Sequence, residues 1–600
     1  MANQVEPGGG FLVAPIPRGG IFTREKLTEE QREIAQMAHE FFQEQVLPRA
    51  KEIEAKAEIE ENGRKVPLAI SIVRQAGELG LLSVDIPEEF DGMGMDKVTS
   101  MLIAESSAGC MSLGATMGAH TGIGTLPIVY FGNDEQKQRY LPKFASGELI
   151  SCYALTEPGS GSDALSGKAT ARLNEAGTHY LLNGEKQFIT NGSWADVAIV
   201  FARVDNKYTA FIVDLDSKGA SRGAEEKKMG ITGSSTCNLI FEDVEVPQEN
   251  LLGNIGDGPT IALNMLNLGR MKLGFGALGT AKYAIDLTVT FGKERKQFGQ
   301  PVITFGMQKR KLADLVIGTF ATDALSFRAV GAIDEEIGKL VPDKDYYANI
   351  IKLFRQFALE CAAVKIAGSE NLEFVVRNAV RMHGGYGFVE EYKVETLLRD
   401  NVVDNIYEGT NDINRLTMFD TFVRNIFGAK VPFREYMERI DWCFRKDRFD
   451  IPVVAGPLGD EISRAEATKR LFAFTLNEGL IYTGKGVRTE QEFMEAAADG
   501  MLAVYALDSA LAKTMEIINL FGEKKAVVPI AISQVLVHDY ARKISDLCSF
   551  IISGIVPEDN RDAVLDKYYT LECFSYRPIN TIALRRLIAE AIIDAGKYNL

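Results

Sequence analysis

After Lys26 the apolar positions recur at helical spacing. Thr28 and Gln31 form a capping-box pattern, and Ile34, Met37, Ala38, Phe41, Phe42 and Val46 fall on one face. This predicts a helical domain over residues 1–150, punctuated by Pro and Gly between Ile86 and Gly94 and at Gly132-Asn133. From about residue 150 the period shortens to two. Residues 178–182, an Asn183-Gly184 turn, 186–190, an Asn191-Gly192 turn, 197–204, 208–215 and 238–246 read as strands of a compact β domain over 151–256. Asp257-Gly258-Pro259 places proline at a helix start, and the pattern then runs to about Lys296 almost without a breaker. Helical stretches at 305–334 and 346–382 follow, so residues 257–429 are expected to form an antiparallel bundle. Beyond Pro432 a further helical domain, 430–600, carries a capping box at Thr489 and Glu492 before a helix reaching towards Leu520, and stays mainly helical from Ala526.

Composition narrows the class. Six hundred residues exceed one hydrophobic core and imply three or four domains. With 46% hydrophobic and 25% charged residues the chain is globular rather than disordered or fibrous. Lys plus Arg number 66 against 82 Asp plus Glu, and a net charge of -16 without a dense basic run argues against nucleic acid as a partner. Seven cysteines without a CxxC pair read as free, mostly buried thiols in a reducing compartment. Residues 1–17 carry Glu6 and lack the basic and apolar regions of a secretory signal, and no apolar run approaches the ~18 residues of a membrane span. The expected location is the cytoplasm, although a processed organellar chain would look the same. Five scattered histidines show no metal-ligand spacing, so no metal site is expected.

Two segments carry candidate chemistry. Tyr153-Ala154-Leu155-Thr156-Glu157-Pro158-Gly159-Ser160-Gly161-Ser162-Asp163 reads as a strand entering a loop rich in backbone donors. Such a loop can hold an anion or a flavin, and it can equally be an ordinary turn. No GxGxxG opens a helix and no Walker sequence occurs. In Ile406-Tyr407-Glu408-Gly409-Thr410-Asn411-Asp412 an acid stands in an apolar setting before cap-type residues. It is either a base with a raised pKa or an exposed Glu beside a helix cap at Thr410.

Taken in order, YALTEPGSGSD, FITNGSWAD, ERKQFG, RMHGGYGF and IYEGTNDINR resemble the acyl-CoA dehydrogenase family, with a likeness running from about Leu27 to Asp420. The extension past Lys430, with LNLGR and EKKMGI as further echoes, is similar to the very-long-chain branch. The resemblance implies a mainly α protein with a central β domain: a helical domain, a β barrel, a helical bundle and an appended helical domain, assembled as a homodimer. It implies FAD as cofactor and Glu408 as catalytic base. Thr156 and Thr190 would bond the isoalloxazine, with Tyr153, Leu155, Ser162, Phe188 and Ile189 lining the site. Phe188 departs from the tryptophan common there, keeping an aromatic face. Arg295 would reach the flavin pyrophosphate of the neighbouring subunit, with Gln297, Phe298 and Gln308 nearby; a cation at that place also suits a helix C-terminus. Gly384 and Gly385 would let backbone approach the adenine end. Arg381 replaces the family's usual glutamine, where a guanidinium can pair with phosphate. Thr410 and Asp412 would complete the cofactor site.

For substrate, Ser162, Asn267, Arg270 and Gly409 match positions that contact the acyl thioester. Some branches place the base on the long helix at the position of Gly269, which has no side chain here. The implied reaction is α-proton removal by Glu408, with the developing thioester oxyanion held by the Glu408 N–H and a ribityl hydroxyl, and hydride passing to flavin N5. The product would be a trans-2-enoyl-CoA, with electrons going on to an electron-transferring flavoprotein. Gly114 with Gly118 and Ala115 with Ala119 give the helix after Ser112 a small face, which leaves room for a long acyl tail or serves tight packing. Long straight chains are the expected substrates. The long-chain branch also implies an amphipathic C-terminal helix with weak peripheral membrane contact. The rival readings are an acyl-CoA oxidase, a catalytically idle scaffold on the same fold, and a nitroalkane oxidase, which has aspartate at the position of Glu408.

Overall fold

A computed structural model describes residues 7–61, 63–446 and 454–600. The reading of Glu6 and its neighbours at the start of the chain lies outside the described residues. In the first domain the Thr28 box forms in both directions. Thr28 Oγ1 accepts from the Gln31 N–H at 3.1 Å and Gln31 Oε1 from the Thr28 N–H at 2.9 Å, and helix Glu29–Phe41 buries Ile34, Ala38 and Phe41. A hairpin absent from the expectation, β1 (Glu58–Glu61) against β2 (Arg64–Pro67), interrupts the helices. It is rich in charge and little buried, so no apolar alternation marks it.

The central domain is one eight-stranded sheet: β3 (Ser151–Ala154), β4 (Thr170–Leu173), β5 (His179–Thr190), β6 (Val197–Val204), β7 (Lys207–Asp214), β8 (Ala220–Arg222), β9 (Thr236–Pro247) and β10 (Leu251–Leu252). The order is β10-β7-β6-β4-β5-β9-β8, and β3 lies parallel on β6. The turn expected at Asn183-Gly184 does not form. Strand β5 runs through that dipeptide with a register shift between Leu182 and Gly184. Gly184, at φ +145°, is there for close approach, since a Cβ would stand 2.7 Å from the Ala169 Cβ. Asn183 spends its side chain across the sheet, donating to Asp243 Oδ1 at 2.8 Å. The turn at Asn191 does form: Asn191 has φ +64° and accepts from the Trp194 N–H at 2.8 Å.

The long helix Gly258–Glu294 packs with Gly306–Ile337 and Ala358–His383, and Asn411–Phe427 joins the bundle against Ala358–His383. The stretch read as one helix over 346–382 is two, Tyr346–Gln356 and Ala358–His383, separated by Phe357. Phe357 is fully buried with ψ 13°, so packing overrides a periodicity that continues in the sequence. Contrary to the expectation from apolar runs, Gly306–Ile337 is long and apolar enough to span a membrane, with a mean hydropathy of 1.3 over its best window. It is a core helix, because 94% of that window is buried inside the protein. The extension contributes Phe433–Lys446, Gly459–Thr483, Gln491–Phe521, Val527–Ile555, Glu558–Glu572 and Thr581–Ala595. Its expected capping box is absent. Thr489 Oγ1 donates back to the Gly486 carbonyl at 2.7 Å, closing a 3-10 run, and the helix begins at Gln491 without a side-chain cap.

Charged contacts join these parts. Asp323, fully buried in the bundle, meets Lys282 at 2.6 Å, Lys513 of the extension at 2.7 Å and Arg24 of the N-terminal segment at 3.0 Å. Upstream, the N–H groups of Gly8 and Gly9 bond Glu360 Oε1 at 2.8 and 3.1 Å, and Lys469 of the extension donates to the Phe11 and Ala14 carbonyls.

Candidate active site

The chain leaves helix Lys393–Asn401 through a 3-10 turn at Val402–Asn405 and reverses at Glu408 and Gly409, which have φ +57° and +83°. A left-handed glutamate is sparsely populated and strained by roughly 1–3 kcal/mol, a cost met at positions that other contacts over-determine. Those contacts are plain. The next helix starts at Asn411, and Thr410 caps it by accepting from the Ile413 N–H at 3.3 Å. Arg270 Nε donates to the Glu408 carbonyl at 3.1 Å, and Asn414 Nδ2 to the Gly409 carbonyl at 2.8 Å. The cap is therefore real, yet the acid beside it does not simply point into water.

The Glu408 carboxylate rests on the long helix at Gly269, where an added Cβ would lie 2.6 Å from Oε2 and 2.9 Å from Oε1. The residue as a whole is partly exposed, but Oε2 is sealed from solvent and has no hydrogen-bond partner among the described residues. Burial pushes this carboxyl up to about 7, against the opposing charges of Arg270 and Lys365. Asn267 and Arg270 share a face as their spacing implied. Arg270 Nη1 donates to Asn267 Oδ1 at 3.0 Å, and Asn267 Nδ2 to the Phe354 carbonyl at 3.3 Å. Tyr153, buried on β3, brings the sheet to the same place: burial raises its phenol well above the usual range and the Glu408 charge adds to the rise.

Beyond Tyr153 the loop is fastened to β5. Lys186, with no exposed side-chain surface, donates to Glu157 Oε1 at 2.6 Å and to the Leu155 carbonyl at 3.3 Å, and Thr156 O accepts from the Gln187 N–H at 2.9 Å. Burial alone would raise the Glu157 carboxyl, but Lys186 and the N–H groups of Lys168 and Ala169 hold it below the ordinary value. One residue on, the β5–β9 register shifts and Phe188 takes φ +57°, so its ring turns outward, 58% exposed, while Ile189 is buried. Thr156 and Thr190 are partly exposed and Ser162 is exposed.

The remaining residues, Asp412 apart, lie away from the Glu408 turn, several of them around the end of the long helix. Arg295 is its C-cap and lies 5.1 Å from the Tyr386 ring centroid. Gln297 is exposed, Phe298 (φ +52°) is 94% exposed, and Gln308 keeps Oε1 sealed without a partner. Arg381 is exposed, and a Cβ at Gly384 or Gly385 would meet nothing within 4 Å; Gly384, at φ +61° and ψ -136°, needs to be glycine. Asp412 is exposed in the first turn of Asn411–Phe427. No hydrogen bond or ion pair among the described residues joins Arg295, Gln297, Phe298, Gln308, Arg381, Gly384 or Gly385 to the Glu408 turn. An outward-turned aromatic, two partly exposed threonines, an orphaned amide oxygen and side-chain-free backbone suit a flavin dinucleotide. Along Met111–Gly118, Gly114 packs on Ser107, with a Cβ only 2.9 Å from its Oγ, whereas a Cβ at Gly118 would meet open space. That face is tight at one end and roomy at the other.

Two lysines with evident roles escaped the sequence reading, Lys186 and Lys365. Lys365 is fully buried on Ala358–His383 and donates to the Gly409 carbonyl at 3.0 Å and Asn411 Oδ1 at 2.5 Å. A single charge in the apolar stretch Cys361-Ala362-Ala363-Val364-Lys365-Ile366-Ala367 was the available sign.

Family models for the N-terminal, middle and C-terminal domains of acyl-CoA dehydrogenase match residues 28–148, 152–244 and 256–421. A probable acyl-CoA dehydrogenase of Bacillus subtilis is 38% identical over 100% of this chain and 99% of its own length. A short-chain specific mitochondrial acyl-CoA dehydrogenase of Rattus norvegicus is 34% identical over 68% of this chain and 93% of its own. The crystal structure of an acyl-CoA dehydrogenase complexed with FAD from Bacillus anthracis superposes with a TM-score of 0.94 at 38% identity, covering 99% of this chain and all of that one.

Proposed function

The chain belongs to the acyl-CoA dehydrogenase family, and on that premise we propose that it binds FAD and uses Glu408 to remove the α-proton of an acyl-CoA thioester, yielding a trans-2-enoyl-CoA. The observation that carries this reading is the Glu408 carboxylate: left-handed backbone, Oε2 buried without a partner among the described residues, and a seat directly on Gly269. A carboxylate with one sealed, unpartnered oxygen, pushed up to about 7, is a base matched to neutral operation. FAD, when bound, supplies the hydride acceptor for the β-carbon. On the protein side, Lys186 and Glu157 fix the loop that presents Thr156, the bulge presents Phe188, and Arg270 holds the base turn by its carbonyl.

Three finer assignments belong to the same reading. The first is a homodimer, supported by an apolar end on which Phe298, Phe388 and Met307 are 94%, 86% and 80% exposed beside the Arg295–Tyr386 pair. The second is preference for long straight acyl chains, supported by the open side of Gly118. The third is an electron-transferring flavoprotein as acceptor, in the cytoplasm, where seven free thiols, exposed Cys573 among them, suit a reducing medium.

The decisive experiment is anaerobic titration of the FAD-loaded protein with acyl-CoAs of several lengths. Flavin absorbance bleaches in the wild type, and Glu408→Gln keeps yellow FAD while losing at least about 100-fold in turnover. Substantial dehydrogenation by Glu408→Gln would remove the assignment. Peroxide formation in air, outpacing reduction of an electron-transferring flavoprotein, would move the reading to an oxidase.

A further inference from the structure

Lys365, on helix Ala358–His383, reaches the base turn just after Glu408. Its Nζ has two direct partners, the Gly409 carbonyl at 3.0 Å and Asn411 Oδ1 at 2.5 Å, and both are neutral oxygens. Among the described residues it makes no salt bridge. Asn411 is in turn bonded by its amide to Ser369, Glu370 and Asn405, so the lysine is one end of a polar lattice that fixes where the turn stops and the helix starts. A glutamine reaching the same two oxygens would do that fastening without a charge. Burying an ammonium costs several kcal/mol unless opposite charge answers it. The answering charges are Asp404, from the 3-10 turn before the base, and Glu408 itself; Arg270 on the long helix opposes, and Glu370, on Ala358–His383 with Lys365, assists. Around Glu408 the facing groups are Arg270, Lys365, Tyr407 of its own turn and Tyr153 of the sheet, and only the first two are cations.

Resting on the reading of Glu408 as base, we propose that Lys365 is a positioning residue of the site: its ammonium locks the Gly409 carbonyl and the Asn411 amide, and its charge, divided between Asp404 and Glu408, favours the ionised form of the Glu408 carboxyl. The arrangement separates two duties. Arg270, on the long helix, grips the turn by the Glu408 carbonyl, and Lys365, on Ala358–His383, grips it one residue later. Burial pulls Lys365 down to about 8 and pushes Glu408 up to about 7, so at neutral pH the lysine is still charged while the carboxyl is part-way to ionised. Removing the positive charge raises the carboxyl further, and the acid limb of the rate profile moves to higher pH.

The test compares FAD-loaded wild type, Lys365→Met and Lys365→Gln, with Glu408→Gln as control, by the pH profile of kcat/KM. Titration of the Glu408 carboxyl by infrared difference spectroscopy gives a second readout independent of turnover. Lys365→Met is expected to bind FAD normally, to shift the acid limb and the infrared midpoint upward by roughly 1 unit, and to lose about tenfold in kcat/KM on the acid side. Lys365→Gln keeps an amide donor without charge; it is expected to shift the limb by the same amount with a smaller loss of plateau kcat. Should Lys365→Met fail to accumulate as folded flavoprotein, Lys365→Gln decides alone. An acid limb and infrared midpoint unchanged from wild type in either folded variant overturn the proposal. If the Glu408→Gln control turns over, it is the base assignment that has failed and not the role of Lys365.

Discussion

Lys186 and Lys365 are both fully buried and both pin a loop at the site, but they spend their charge differently. Lys186 faces a carboxylate at 2.6 Å, so the β-side loop is held by a closed ion pair with little net field beyond it. Lys365 bonds only neutral oxygens, so its charge reaches the neighbouring Glu408. A closed pair suits a loop that has only to stay in place, whereas an open charge suits a turn whose carboxyl must hold and release a proton.

The closed pair is the more sensitive of the two. Lys186→Met strands Glu157 in the interior and is expected to cost about 3–5 kcal/mol, read as a lower Tm and loss of FAD. Lys186→Met with Glu157→Gln should recover most of that loss. A single variant as stable as wild type would show that the pair does not hold the loop. On the other side, Gly269→Ala forces the carboxylate off its seat. Since small misplacements of reacting groups are costly, kcat is expected to fall about 100-fold with FAD binding unchanged. Lowering the pH sharpens the contrast without mutation. Glu157 is held below its ordinary 4.5, so its stabilisation is complete above 4.5 and lost as pH falls through the lower folded value. Glu408 titrates near 7, so activity should fade reversibly there while the flavin is retained, and flavin release should come only in the more acid range. The smallest effect belongs to the cap: Thr410→Ala should cost ~1 kcal/mol by chemical denaturation and leave the acid limb where it is.

Much of the architecture was legible because local chemistry agreed with tertiary context. The Thr28 box and the Pro259 helix start were read directly from neighbours in sequence. Two of the misreadings came where a distant residue decided, and the third, at Thr489, where a local turn competed with the cap. Asn183-Gly184 has the composition of a hairpin turn, but Ala169 pressing on Gly184 makes it a bulge in a continuous strand. Phe357 breaks a helix because its ring is taken up by the bundle. Thr489 has cap chemistry, but its hydroxyl turns back to Gly486. At the site, Glu408 could be singled out from its flanking residues. The lysine behind it could not, because its partners Gly409 and Asn411 lie 44 and 46 positions away in the chain.

Asp323 decides where this polypeptide tolerates cropping. A version ending near residue 430 removes Lys513, and one starting after Arg24 removes that guanidinium. Each leaves a carboxylate of the bundle interior short of a counter-charge. Minimal catalytic cores trimmed at either end should therefore come out of cells as insoluble material.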